Sequence, residues 1–367
     1  MVLWIALFIA FTIPLLFLYL LRRFDLFQTG QIGFNFATLV GGLIAYEIAA
    51  KINPGMVNAG WVTWDQVIRI TAPIIEELLK GLILIYLVQR ADFNYVVDGA
   101  LYGFGAGIGF AIIENFEYVT GNPEIALTVA IARVFSTNLV HATASGLIGT
   151  ALAYRRGDST WRGWAIVLGG YAVSILIHMV FNTMVNAGAF LAVAIIFGLT
   201  GMALIWYVIK RGLNVQKEWV AEKLNMTDRV TKQETKVVSN IEAINEVLVP
   251  VEKRFGTKMA SLVRSLIYKQ AEMGIKRKLL ETAANETRRK DINKIIADLS
   301  VETNELRKQI GPYCMMMVRS VYLDHDIQIW NLLNARVAAA GLGQKGGGLW
   351  DRVNERLQAS PSQDDES

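Results

Sequence analysis

The chain has 367 residues, 53% of them hydrophobic, and a mean hydropathy of +0.36, which excludes an ordinary soluble globular protein. Its net charge of +4 is spread over two unlike regions and gives no argument for a nucleic-acid partner. The single cysteine, Cys314, excludes an internal disulfide.

Charge divides the chain. Residues 1–212 hold 12 Lys/Arg and 11 Asp/Glu, leaving 24 and 21 of the chain's 36 and 32 for residues 213–367. The expectation is an all-α protein. A transmembrane protease-like bundle of about seven spans occupies 1–212, and a helical cytoplasmic domain occupies 213–340. A tail at 341–367 combines a Gly-rich linker (GLGQKGGG), a short helix and an acidic, disordered end.

Crossing ~30 Å of hydrocarbon takes about 20 apolar helical residues. The predicted spans are 2–20, 31–50, 72–89, 98–118, 133–154, 163–184 and 188–209. The first has no basic n-region before it and ends at Leu21-Arg22-Arg23, so it reads as a retained span rather than a cleaved signal peptide. Segments 61–70 and 122–132 read as short interfacial stretches at one membrane face, with Trp61 and Trp64 suited to the headgroup layer. Arg22, Arg23, Arg90, Arg155, Arg156, Arg162, Lys210 and Arg211 fall on one face; Lys51, Arg69 and Arg133 fall on or near the other. The positive-inside rule makes the first face cytoplasmic, with the N-terminus outside and the C-terminal domain inside, in the cell membrane. In the polar half, apolar residues at three- and four-residue spacing predict helices over 235–256, 258–274, 277–310 and 312–340. The clusters Lys276-Arg277-Lys278 and Arg288-Arg289-Lys290 read first as solvated helix faces and second as contacts to anionic lipid.

Ionisable groups inside the spans carry the functional argument, because a charge at the bilayer centre costs about 2.5–3.5 kcal/mol unless it is partnered. Those present are Glu47, Glu76, Glu77, Lys80, Asp98, Glu114, Glu117, Arg133, His141 and His178. Glu76-Glu77-x-x-Lys80 places two carboxylates and an amine on neighbouring helix faces. Low dielectric and mutual repulsion suit one of them to act as a general base on water; a structural ion pair at a helix start is the plainer alternative. Phe110-x-x-x-Glu114-Asn115 follows Gly103, Gly105, Gly107 and Gly109, a small-residue run that packs helices closely and delivers Glu114 into a tight bundle. His141 and the His178/Asn182 pair can ligate metal, move protons or donate hydrogen bonds. A satisfied core polar residue is the plainer alternative for each, and two histidines alongside three carboxylates weigh against it. Depth favours a shared site. Glu76 lies three residues inside the outer end of its span, and His141 eight residues in from Arg133. Glu114 and His178 lie ~24 and ~22 Å along outward-running helices. All four fall in the outer half. Glu47, Asp98 and Glu117 have no assigned part.

These residues resemble the motifs of the PrsW family of bacterial membrane proteases, distant relatives of the CAAX prenyl proteases and the bacteriocin-processing Abi proteins. The resemblance covers roughly residues 30–210. It implies hydrolysis of a peptide bond in a membrane-associated protein, in the PrsW branch an extracytoplasmic, site-1-type cut in a transmembrane anti-sigma factor. Glu114 stands where the CAAX proteins carry histidine, and Lys80 where they carry an arginine one residue later; both departures favour the PrsW branch. Carried over by position, Glu76 or Glu77 activates the water. His141, His178 and Asn182 orient it and stabilise the oxyanion, with Lys80 and Asn115 in support and Glu114 in the second motif. The resemblance to CAAX proteins implies no metal cofactor. Zinc remains the alternative, on His141, His178 and Glu114, although no His-Glu-x-x-His is present. The expected partners are the bilayer and a membrane-anchored protein substrate, with no nucleic acid. The cytoplasmic domain matches no recognised family, and its partner is undefined. Two other classes fit the same buried polar residues: an ion- or proton-coupled transporter and a non-catalytic membrane scaffold.

Overall fold

The computed structural model describes residues 1–27, 30–157, 160–188, 191–224, 230–283 and 286–320. Helices account for nearly all of these, and no strand occurs among them. The helices are α1 (Val2–Arg22), α2 (Ile32–Asn58), α3 (Trp64–Gln66), α4 (Ala72–Leu87), α5 (Val96–Gly121), α6 (Ala126–Phe135), α7 (Thr137–Gly157), α8 (Trp161–Asn186) and α9 (Leu191–Lys223). In the polar half they are α10 (Lys232–Ser239), α11 (Ile244–Phe255), α12 (Thr257–Glu281) and α13 (Glu286–Ser320). The protein is a polytopic helical membrane protein.

Among the described residues, six helical runs are long and apolar enough to span a bilayer: α1, α2, α5, the Pro123–Arg156 run containing α6 and α7, α8, and α9. The predicted third span, 72–89, forms as α4 but has only 16 residues, ~24 Å. It does not start abruptly. A capping box at Thr63 and Gln66 opens α3, and one π-helical turn (Val67–Thr71) carries the chain into α4. Segment 61–70 is therefore the lead-in to α4, with Trp61 and Trp64 exposed beside it. Segment 122–132 is likewise a 3₁₀ turn running into α6. The chain bends at Ser136 before α7 begins, so Arg133 sits on α6 and not on the long helix where the predicted span 133–154 placed it.

Helix α5 is the axis of the bundle and is buried along almost its whole length. It packs most extensively against α7 on one side and α2 on the other. Its glycines make this possible. A Cβ on Gly107 would stand 2.3 Å from the His141 carbonyl oxygen, and one on Gly109 would stand 2.1 Å from that of Leu39. No side chain fits at either place, and backbones approach this closely only through small residues. Helices α1, α8 and α9 instead turn apolar side chains such as Phe8, Leu168, Leu176 and Ile196 outward, as a lipid-facing surface does.

The polar half is helical, as its periodicity predicts, but differs in detail. Helix α9 continues unbroken past 212 to Lys223, and α12 crosses the predicted break at 275–276 without interruption. The break predicted between 310 and 312 is present: Gly311 has φ 75°, a left-handed conformation that interrupts α13. The Gly-rich linker, short helix and acidic tail predicted for 341–367 lie outside the described residues, as does the end of the predicted 312–340 helix. One apolar core runs from α5, α7 and α9 into α10–α13. Lys276, fully buried on α12, donates to the Ala91 carbonyl in the α4–α5 loop at 2.7 Å.

Candidate active site within the membrane bundle

Four helices bring the predicted residues together. Glu76, Glu77 and Lys80 come from the first three turns of α4, and Glu114 and Asn115 from near the end of α5. His141 lies early on α7 and His178 late on α8. All lie toward the face opposite Arg22, Arg155 and Arg156, because alternate helices run in opposite directions.

Glu77 is the most constrained carboxylate. It has no exposed surface. Its Oε1 accepts from Lys80 Nζ at 2.6 Å and from His178 Nδ1 at 2.9 Å, and its Oε2 accepts from Ser145 Oγ at 3.4 Å. Lys80 is equally buried and also lies 3.0 Å from His141 Nδ1 and 4.6 Å from the centre of the Phe110 ring. A buried carboxylate and amine persist only when their hydrogen-bonding capacity is used in this way.

That network fixes both imidazoles. The Lys80 ammonium can only donate, so His141 Nδ1 accepts, and Nε2–H donates to Glu114 Oε2 at 2.9 Å. Glu77 can only accept, so His178 Nδ1 carries the proton and Nε2 is left with a lone pair. That lone pair lies 3.8 Å from Glu76 Oε2. Two acceptors that face each other at this distance call for a proton or a cation between them. The imidazole rings meet edge to face at 4.6 Å.

Glu76 is the member of the pair that reaches open space. With Glu114, Asn182, Phe110, Tyr118 and Trp64 it lines a cavity of about 400 Å³ between α2, the π turn, α5 and α8. Glu114 on the same wall is held by Arg133, whose Nη2 donates to Glu114 Oε2 at 2.6 Å and whose Nε donates to Asn115 Oδ1 at 2.9 Å. The Arg133 guanidinium lies 3.8 Å from the centre of the Tyr118 ring. Asn182 stands apart from the imidazoles and donates to the Ile68 carbonyl in the π turn at 3.0 Å. Glu117 lines the cavity mouth, whereas Glu47 lies exposed on α2. Asp98 sits at the far end of α5, accepting from Asn94 N at 2.8 Å.

Sequence reasoning gave Arg133, Ser145 and Tyr118 no role. Ser145 is one turn beyond His141, and Tyr118 one turn beyond Glu114, so helical spacing was the available signal.

A model of the PrsW family, described as intramembrane metalloproteases, matches residues 32–209. "Protease PrsW" of Clostridioides difficile (strain 630) is 28% identical over 116 residues, which are 31% of this chain and 49% of that protein. The match thus spans about half the length of this relative. No solved structure matches the chain.

The family description raises the question of a metal, and the matched region offers a donor set for one. Glu76, His141 and His178 are all buried, and each presents a ligand atom within 4.8 Å of the others. Glu76 thus takes the place given to Glu114 in the expected zinc set, because Arg133 and His141 already engage Glu114. Two imidazoles and a carboxylate with space on one side suit a catalytic zinc ion. The Glu77–His178 hydrogen bond is the outer-shell contact that orients a ligating imidazole. Two adjustments are required. Ligation through His141 Nε2 needs release of its hydrogen bond to Glu114 and the opposite tautomer, whose Nδ1–H would face Lys80 Nζ donor to donor, so the Lys80 amine must move away from that ring or give up a proton.

Proposed function

We propose that the chain is a membrane-embedded peptidase that hydrolyses a peptide bond in a membrane-associated protein at the Glu76–His141–His178 centre. The observation that carries this reading is Glu76 at the wall of a cavity of about 400 Å³, with His178 Nε2 3.8 Å behind its Oε2.

Glu76, His141 and His178 are the residues that would hold a zinc ion, which when bound would supply a Lewis acid to polarise the scissile carbonyl or acidify water. The chain's own residues do the rest. Glu77 keeps His178 in the tautomer that exposes Nε2, and Lys80 pins Glu77. Glu114, held on the cavity wall by Arg133, is the remaining carboxylate placed to take a proton from attacking water. The His141 tautomer supports a second, metal-free reading, because Nε2–H is committed to Glu114. In that reading Glu76 itself accepts the proton and His178 Nε2 steadies the water.

We place the cavity on the extracytoplasmic side, following the basic residues at the opposite helix ends, with the N-terminus outside and α10–α13 in the cytoplasm. A single-span protein such as an anti-sigma factor is the substrate class this placement suits. Co-expression with candidate single-span proteins tests the reading. Cleavage by wild type, and its loss in folded Glu76→Gln and His178→Ala variants, is expected; cleavage by both variants at the wild-type rate would sink it. Metal analysis and chelation separate the two forms.

A further inference from the structure

A second cleft lies about 190 Å³ in volume on the opposite face, between the ends of α5 and α7 and the helices α9 and α12. Arg156 and Lys278 line it, together with Tyr95, Tyr154, Thr282 and Trp219. Its lining has two cations and several neutral groups able to donate hydrogen bonds, but no carboxylate.

Arg156 is the informative residue. It is only 8% exposed. Its Nη2 donates to the Arg90 carbonyl at 2.7 Å, but Nε and Nη1 are buried with no hydrogen-bond partner. A guanidinium has five donors in a rigid fork, and leaving two N–H groups dry is costly. Arg288 lies close enough to repel it; Asp92 and Asp98 offset part of the charge, but neither lines the cleft. Lys278 is held at the rim by Glu222 at 2.9 Å and Glu281 at 3.4 Å and stays partly exposed, so Arg156 is the principal anion ligand. The level also fits a membrane interface. On the same end of α7, Arg155 lies over the exposed Trp164 ring, 4.7 Å from its centre, and such rings favour the headgroup layer.

We propose that this cleft binds a phosphate-bearing anion through Arg156 and Lys278, the phosphate being either an anionic lipid headgroup or a free phosphate. A tetrahedral anion offers several acceptors to a fork and an ammonium at once. The site is independent of the proposed peptidase centre.

Full-length protein in zwitterionic detergent provides the test. The first arm measures Tm with inorganic phosphate against chloride at equal ionic strength. The second measures retention of phosphatidylglycerol against phosphatidylcholine by native mass spectrometry. The expected result is a phosphate-dependent rise in Tm, selective retention of phosphatidylglycerol, or both, weakened about tenfold in Arg156→Gln and less in Lys278→Gln. A response in the first arm alone assigns free phosphate, and in the second alone assigns lipid; either supports the site. If Arg156→Gln does not fold, Arg156→Lys and the rim variant Lys278→Gln decide. No response in either arm, or equal responses in wild type and variants, overturns the proposal.

Discussion

Replacing Lys80 by methionine perturbs the site's most buried contact while keeping side-chain volume nearly constant. Lys80 and Glu77 are fully enclosed, 2.6 Å apart, an attraction of about 6 kcal/mol at an effective dielectric of 20 before desolvation is subtracted. Removing one partner leaves the other charged in low dielectric, a cost of about 3–5 kcal/mol. The lower end applies here because Glu77 keeps His178 and Ser145 as donors. Glu77→Gln leaves the ammonium with His141, the Phe110 ring and a neutral amide oxygen in place of a carboxylate, and costs a similar amount. The double variant Glu77→Gln/Lys80→Met removes both charges, so its cost falls below the sum of the singles by about 2 kcal/mol or more. Reversible unfolding of purified protein in mixed micelles measures all three. Single variants that each lose under ~1 kcal/mol, or a double variant whose loss is strictly additive, would refute the description of Glu77–Lys80 as a dry, mutually dependent pair.

Other consequences can be checked separately. Gly107→Ala drives a methyl group into the His141 carbonyl, so α7 must shift; a displacement near 1 Å lowers turnover about 10²-fold, with folded yield measured in parallel. Arg133→Gln should release Glu114 and Asn115 and cut turnover at least tenfold, and Arg133→Lys should not restore it, because a lysine cannot hold both acceptors with one planar fork. If the metal form operates, purified protein contains about one zinc per chain, a strong chelator abolishes cleavage, and His178→Ala loses the metal; full activity of metal-free protein would leave the glutamate-only form. Burial pushes Lys276, outside the spans, from 10.5 down to about 8. The folded state then sheds this proton before the unfolded state does. The group's contribution is unfavourable below pH 8 and becomes less so as pH rises toward 10.5. Lys276→Met should flatten that part of the stability–pH curve relative to wild type; an unchanged slope would contradict the assignment.

The sequence exposed the chemistry better than the geometry. Glu76, Glu77, Glu114, His141 and His178 stood out because charge inside an apolar span needs a reason, and helix direction alone put them at one level. Spacing could not tell Glu76 from Glu77: adjacent residues on a helix point 100° apart, and only the positions of α7 and α8 decide which one is enclosed. Arg133 was visible but misplaced, since the bend at Ser136 moves it from a span to a separate short helix. Asn182 shared a face with His178 by spacing, yet its amide turns to the π turn at Ile68, a feature with no sequence signature. In the polar half, Gly311 marked its helix break correctly because a positive φ favours glycine. The boundary expected at 275–276, by contrast, falls where α12 runs straight through. The buried position of Lys276 was hidden as well, because a lysine in a basic cluster reads as solvated until its neighbours are known.

The most direct measurement is cleavage of a single-span reporter in proteoliposomes by wild type, Glu76→Gln and Glu47→Gln, at matched folded protein. The account predicts product with wild type and Glu47→Gln and at least a hundredfold loss with Glu76→Gln, the order expected when a group acting on the attacking water is removed. Equal cleavage by wild type and Glu76→Gln would contradict it.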